Sequence, residues 1–78
     1  MMATEAAVSE FILGYLREQV PDVSLRMTIR ELGVDSLEVL DLILSAEERF
    51  QIEVDADGVE PDMTLSELCK KISQSRAA

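Results

Sequence analysis

The sequence contains no histidine and no tryptophan, and it has one cysteine, Cys69, among 78 residues. Without histidine the chain cannot assemble a Ser-His-Asp or a Cys-His catalytic arrangement. A single cysteine excludes an intramolecular disulfide and any metal site built from cysteines. The helical spacing of Cys69 with Leu65 and Ile72 favours a buried thiol. We therefore expect no catalytic residues, and the reducing cytoplasm is the natural setting for this chain.

Basic residues are also scarce, since seven of them face sixteen acidic residues and give a net charge of −9. Residues 31–67 hold twelve acidic residues and one basic residue, Arg49, so this half carries −11. Such a field repels phosphate backbones and anionic lipid heads, which argues against nucleic-acid and membrane partners. No apolar run reaches eighteen residues, so we expect no membrane insertion, no export signal, and partners with basic surfaces.

The length and composition predict one small folded domain spanning residues 1–78. Hydrophobic residues make up 47% of the chain and charged residues 29%, a balance typical of a folded protein. A chain of this size cannot enclose a large active site. Because aromatic residues are few, the core must consist of aliphatic side chains from helices.

Apolar spacing predicts an all-α bundle of three main helices with one or two short helical turns. The first helix is expected from Thr4 to about Val20, the second from Ser36 to about Phe50, and the third from Thr64 onward. Their buried faces are predicted to comprise Val8, Phe11, Ile12, Tyr15 and Leu16 in the first helix, Val39, Leu42, Ile43, Ala46 and Phe50 in the second, and Leu65, Leu68, Cys69 and Ile72 in the third.

The connections between these helices carry their own signals. A capping box at residues 28–31 predicts one short helical turn, and Gly33 permits a sharp reversal after it. Residues 51–54 alternate like a strand, but so short a segment without a pairing partner is interpreted as an extended linker. A weak helical turn is expected around Val59, because Gly58 and Pro61 allow nothing longer.

The second helix has a second apolar stripe, opposite its core face. Leu37, Leu40 and Leu44 form this leucine stripe, and Asp41, Glu47 and Glu48 flank it. One interpretation is that the short turns cover these leucines, or that they are scattered surface residues. The other is a docking face, because an apolar centre with a charged rim is typical of transient interfaces.

Ser36 lies in the segment LGVDSLE at residues 32–38, where a loop ends and the second helix begins. Asp35 is a good N-cap, and Glu38 follows it three residues later. Ser36 is therefore held at the start of the helix. No base is available to activate its hydroxyl, so it is not a nucleophile of an enzyme. The position therefore predicts a site that another protein modifies.

Residues 53–64 resemble the start of an EF-hand loop, with Asp55, Asp57 and Gly58 at its third, fifth and sixth positions. The first position is Glu53, where aspartate is expected, and the twelfth is Thr64, which cannot coordinate a metal as a bidentate carboxylate does. The sequence therefore predicts no metal site.

The segment LGVDSL at residues 32–37, the EERF segment at 47–50, the acidity and the long first loop together resemble the acyl carrier proteins over nearly the whole chain. The resemblance implies an acyl-carrier bundle in which a phosphopantetheinyl transferase attaches 4′-phosphopantetheine to Ser36, making a phosphoprotein. Asp35 and Leu37 match the attachment motif. Residues matching positions that dock acyl-transfer and synthase enzymes are Leu37, Glu38, Leu40, Asp41, Leu44, Glu47 and Glu48.

The resemblance also implies a monomeric carrier of acyl thioesters for fatty-acid, lipid or polyketide synthesis, with acyl chains entering the apolar interior between helices. Residues 54–61 depart from the family's Ile-Pro-Asp-Glu-Glu run, and Arg26 and Arg30 make the first loop unusually basic, which favours a specialised pathway. Two alternatives stay open: an aminoacyl or peptidyl carrier, which residues 34–35 disfavour, and a non-covalent helical adaptor that binds through the leucine stripe. A third alternative is that the chain is itself an enzyme.

Overall fold

Three helices surround one core in the computed structural model, which describes residues 3–78. The predicted all-α bundle of three main helices with short turns is confirmed. The helices are α1 (Glu5–Leu16), α2 (Ile29–Leu32), α3 (Ser36–Phe50) and α4 (Leu65–Ser73), and the remaining elements are strand β1 (Ile52–Glu53), a 3₁₀ turn (Ala56–Gly58) and strand β2 (Arg76–Ala77).

The core forms where α1 packs against both α3 and α4. The predicted faces are buried except for Phe11, Tyr15 and Val39, which are half-buried. Phe11 still contacts the core, because its ring meets the edge of Phe50 with centroids 5.7 Å apart. Each fully buried aliphatic side chain contributes about 1.5–3 kcal/mol to folding. The fully buried aliphatic side chains of this size within residues 3–78 are Val8, Ile12, Leu42, Leu65, Leu68 and Ile72.

Helix α1 ends four residues earlier than predicted. Its last helical residue is Leu16, and the prediction that it continues to Val20 was wrong. Residues 17–19 are all exposed, so they offer no apolar face for a further helical turn. The chain instead makes a tight turn, in which the Gln19 N–H donates to the Leu16 carbonyl at 3.0 Å. This turn brings the half-buried Val20 back to the core.

Two capping boxes of the same design start α2 and α4, as predicted. In the first, the Glu31 N–H donates to the Thr28 hydroxyl at 3.1 Å, and the Thr28 N–H donates to the Glu31 carboxylate at 2.8 Å. In the second, Thr64 and Glu67 repeat this exchange at 3.1 and 3.0 Å. Both helix starts therefore have reciprocal partners for N–H groups that a helix cannot satisfy internally.

The two capping boxes also lie back to back and satisfy each other's backbone. The Ile29 N–H donates to the Met63 carbonyl at 2.9 Å, and the Leu65 N–H donates to the Met27 carbonyl at 2.8 Å. Both donors are first residues of helices, which have no acceptor within their own helix. The long first loop is thus joined to the segment before α4, across a distance in sequence that no local pattern reveals.

Replacing the cap residue of α4 tests this construction. Thr64→Ala removes the hydroxyl that accepts from the Glu67 N–H, so we expect the free energy of unfolding to fall by about 1 kcal/mol. Urea denaturation measures the difference, and Thr64→Ser, which keeps the hydroxyl, is the matched control. Equal stability of the alanine and serine variants would contradict the role of the cap.

The same contacts predict a pH dependence. Hydrogen bonds donated by the Thr64 backbone N–H and hydroxyl hold the pKa of Glu67 below its ordinary value. A carboxylate with a depressed pKa stabilises the folded state above its unfolded pKa, and this stabilisation is lost as the pH falls through the folded pKa. The difference in unfolding free energy between wild type and Thr64→Ala should therefore become smaller as the pH falls through the folded pKa of Glu67.

The segment after α3 is a strand and not a linker. Ile52 pairs with Ala77 and Glu53 with Arg76 in an antiparallel ladder, and the Ala78 N–H donates to the Gln51 carbonyl at 3.0 Å. The prediction of an extended linker without a pairing partner was therefore wrong. Its partner follows the whole of α4, and no pattern in residues 76–78 predicts a strand. Ile52 itself is buried beneath the ladder.

The expected helical turn before α4 is present as the short 3₁₀ turn at Ala56–Gly58. The Asp55 side chain starts it by accepting from the Asp57 N–H at 3.2 Å, and Val59 follows as its C-cap. None of its residues is buried. Within residues 3–78, no helix is long and apolar enough to cross a membrane.

Candidate functional site

Ser36 is the first residue of α3 and is exposed. Gly33 ends α2 in the left-handed region at φ 73°, which turns the chain toward the new helix. Asp35 is the N-cap, and its carboxylate accepts from the Glu38 N–H at 2.9 Å. Because Asp35 caps the helix, the Ser36 hydroxyl is not needed for capping. It makes none of the hydrogen bonds found among residues 3–78.

The backbone around Ser36 offers unused donors. The N–H groups of Ser36 and Leu37 donate to no acceptor in the described part of the chain. Free N–H groups at a helix start favour an anionic group, although the carboxylates of Asp35 and Glu38 oppose one. Glu38 is half-buried, and its Oε2 has no hydrogen-bond partner within residues 3–78. An oxygen-rich group on Ser36 would find the unused N–H donors of Ser36 and Leu37 directly beside it.

A groove of about 550 Å³ opens beside Ser36. Its lining comes from the first half of α3, from α2, and from the 3₁₀ turn and the residues that follow it, which we call the far wall. Most of its lining is aliphatic, with Arg30 and Glu60 as its charged residues. Its aliphatic lining includes Val34, Val39, Leu40, Ile43, Val59 and Pro61.

The leucine stripe lies on the surface, as its position on α3 predicts. Leu37 is 70% exposed, Leu40 is 42% exposed and Leu44 is 51% exposed. Val59 and Pro61 line the same groove as Leu37 and Leu40 but leave both leucines exposed. The interpretation that short turns bury this stripe is therefore wrong.

The acidic residues predicted for the docking face divide into two groups. Asp41 and Glu48 are exposed beside the leucines. Glu47 is half-buried, and its carboxylate accepts from the Val54 N–H at 2.8 Å. Glu47 thus also anchors the chain after β1, a role that sequence reasoning missed because the two residues follow no recognised capping spacing.

Sequence reasoning also missed the far wall of the groove. Val59, Glu60 and Pro61 meet α3 only in the folded chain. Arg30 was noticed for making the loop basic, but nothing in the sequence places it at the same groove as Ser36. Backbone hydrogen bonds between α2 and the segment before α4 bring these residues together. One of them is donated by the Arg30 N–H to the Pro61 carbonyl at 2.9 Å.

Cys69 is remote from this site. It lies fully buried on the core face of α4. Burial raises the pKa of its thiol, and a hydrogen bond with the Ser9 side chain opposes this only in part. A buried thiol with a raised pKa is a poor nucleophile. Within residues 3–78, no group of three acidic or cysteine side chains is arranged to hold a metal ion.

Comparison with known proteins agrees with this geometry. The family model of the phosphopantetheine attachment site matches residues 6–72. An acyl carrier protein of Desulforapulum autotrophicum is 34% identical over 76 residues, which cover 91% of this chain and 95% of that protein. Acyl carrier proteins of Helicobacter pylori strain J99 and Helicobacter acinonychis are each 30% identical over 77 residues, covering 92% of this chain and 99% of theirs. No solved structure matches significantly.

The matched family model covers most of the chain, so the protein carries a phosphopantetheine attachment domain. The relatives above are similar to it over nearly its full length, which identifies the family more closely. The chain belongs to the acyl carrier protein family.

Proposed function

We propose that this chain is a carrier whose Ser36 hydroxyl receives 4′-phosphopantetheine and presents acyl groups to synthesis enzymes. One observation carries the proposal: the Ser36 hydroxyl is exposed at the start of α3 and makes no hydrogen bond within residues 3–78. The segment LGVDSL around it resembles the attachment motif of the family. Asp35 and Leu37 flank Ser36, and Asp35 keeps the helix start fixed whether or not the serine is modified. The bound arm supplies a terminal thiol that holds acyl groups as thioesters.

Attachment needs a partner enzyme, because this chain has no histidine to activate Ser36. The serine oxygen forms a bond to the phosphorus of coenzyme A that bears the pantetheine. The bond from that phosphorus to the bridging pyrophosphate oxygen breaks, and the adenosine half leaves. The serine proton passes to a base of the transferase. The chain is thus a substrate and not an enzyme, and the unused N–H groups of Ser36 and Leu37 favour the phosphodiester formed.

The leucine stripe and the exposed acids beside it form the proposed docking face of α3. Fully burying a leucine returns about 1.5–3 kcal/mol, so three half-exposed leucines supply a modest binding energy. Asp41 and Glu48 add long-range attraction for basic patches, which raises the association rate more than the affinity. Glu38 and Glu47 lie at the edge of this face and are half-buried. Weak binding with fast release suits a carrier that visits several enzymes in turn.

We further propose that residues 1–78 act as one monomeric domain in the cytoplasm. The cargo class that fits the segment GVDSL is an acyl group of fatty-acid, lipid or polyketide synthesis. An aminoacyl or peptidyl cargo is the alternative outcome, and the mass of the thioester recovered from the native host distinguishes the two.

Attachment is tested by incubating the chain with a phosphopantetheinyl transferase, coenzyme A and magnesium, followed by intact mass spectrometry. We expect the mass of the intact chain to increase by one phosphopantetheine, and peptide mapping to place it on the peptide that contains Ser36. An unmodified chain with several transferases of different origin would refute the proposal.

The docking face is tested by reversing one of its charges. Glu48→Lys should lower the second-order rate of modification by a transferase by a factor of about five at low salt, equivalent to about 1 kcal/mol for a surface charge pair. Glu18→Lys is the matched control, because it makes the same change at an exposed position outside α3. The difference should shrink as salt rises. Equal effects of both variants would assign the change to net charge and not to this face.

A further inference from the structure

Arg30 and Ser36 line the same groove. The side chain of Arg30 is 68% exposed, and its Nε donates to the Asp62 carboxylate at 3.1 Å. Its backbone N–H is fixed separately by the Pro61 carbonyl. The two Nη groups take part in no hydrogen bond within residues 3–78. Asp62 therefore engages one nitrogen of the guanidinium, while the two Nη groups stay available as donors.

The charge around this groove is unbalanced. Arg30 is the single basic residue that lines it among residues 3–78, whereas Asp35 and Glu38 flank Ser36 and Glu60 lies on the far wall. A phosphodiester on Ser36 adds another negative charge to this surface. Like charges repel one another more strongly at a protein surface than in bulk water, because the effective dielectric constant is lower there. A nearby guanidinium offsets that repulsion.

We infer that Arg30 is a positioning residue that pairs with the phosphodiester on Ser36 and directs the arm along the groove. The inference rests on the proposed attachment at Ser36. An arginine suits this role because its planar donors bond phosphate oxygens in pairs, and Asp62 occupies only Nε. The aliphatic lining beyond Arg30 then accepts the methylene and methyl groups of the arm.

The first loop offers a matched comparison in its other arginine. Arg26 lies four residues before Arg30, is also exposed and carries the same charge, but it does not line the groove. Arg30→Ala and Arg26→Ala therefore change the net charge equally. Only the first removes a cation from the groove. Arg30→Ala also leaves the backbone bond to Pro61 in place, so the fold is retained.

The test measures the single phosphorus of the modified chain by ³¹P NMR in wild type, Arg30→Ala and Arg26→Ala. At low salt we expect wild type and Arg26→Ala to share a phosphorus resonance that is shifted and broadened relative to that of Arg30→Ala, because Arg30 holds the phosphodiester in both. Arg30→Ala should lose that shift and give a narrower line, as should wild type at high salt, where the screening length falls to about 3 Å. Arg30→Lys, which keeps the charge without the paired donors, should lie between.

The outcomes separate the two claims. If all three chains carry the arm and their low-salt spectra agree, Arg30 does not position the phosphodiester and the inference fails alone. If Arg26→Ala changes the resonance as much as Arg30→Ala, the effect is general charge and the inference fails as well. If wild type never acquires the arm, attachment at Ser36 fails and takes the inference with it.

Discussion

Ser36→Ala is expected to abolish phosphopantetheine attachment completely and to leave the fold unchanged. The substitution removes the one oxygen that would bond to phosphorus. It removes no structural contact, because Asp35 caps α3 and the Ser36 hydroxyl makes no hydrogen bond within residues 3–78. Intact mass spectrometry after incubation with a transferase measures the first effect, and circular dichroism with urea denaturation measures the second.

Ser24→Ala is the matched control for this prediction. Ser24 is another exposed serine of the first loop, and its alanine variant should be modified as fast as wild type. Attachment to Ser36→Ala at a different residue, shown by peptide mapping, would refute the assignment of the site. Full activity of Ser36→Ala in the native host would instead favour the adaptor hypothesis, in which the leucine stripe binds a partner without any arm.

Leu68→Ala is expected to cost about 3 kcal/mol of unfolding free energy, because it leaves a cavity where α4 meets the core. Leu68 has 0% exposure and lies beside the buried Cys69. Natural domains are stable by only about 5–15 kcal/mol, and a chain of this length lies toward the lower end of that range. Urea denaturation gives the loss directly, and faster labelling of the Cys69 thiol reports more frequent opening of the core.

Leu44→Ala makes the identical chemical change on the leucine stripe and serves as the control for Leu68→Ala. Its side chain is already 51% exposed, so we expect a loss under about 1 kcal/mol. Similar losses at both positions would contradict the assignment of Leu68 to the buried core and of Leu44 to the exposed leucine stripe.

Local signals account for what the sequence predicts well. The start of α3 follows from Asp35 and Glu38, and both capping boxes follow from a threonine with a glutamate three residues later. These contacts span only three residues, so the pattern alone specifies them. The core faces and the leucine stripe follow from helical periodicity for the same reason. Ser36 could therefore be placed at an exposed helix start without a structure.

Contacts between distant segments account for what the sequence leaves out. The ladder of β1 and β2 joins residues separated by the whole of α4, and β2 has only two residues. The early end of α1 depends on where Val20 reaches the core. The groove beside Ser36 exists because α2 is bonded to the segment before α4. None of these contacts has a period or a motif, so burial and backbone bonding in the folded chain decide them.

The ladder of β1 and β2 makes a closed loop of the chain between Ile52 and Ala77. That loop contains both α4, which is anchored in the core, and the far wall of the groove, in which no residue of the 3₁₀ turn is buried. Local unfolding tends to follow such cooperative units and to begin where few apolar contacts hold the chain. Because Pro61 and Met63 are hydrogen-bonded to α2, we expect local opening of this wall to be confined to the 3₁₀ turn and Val59, while α3 and Ser36 stay in place.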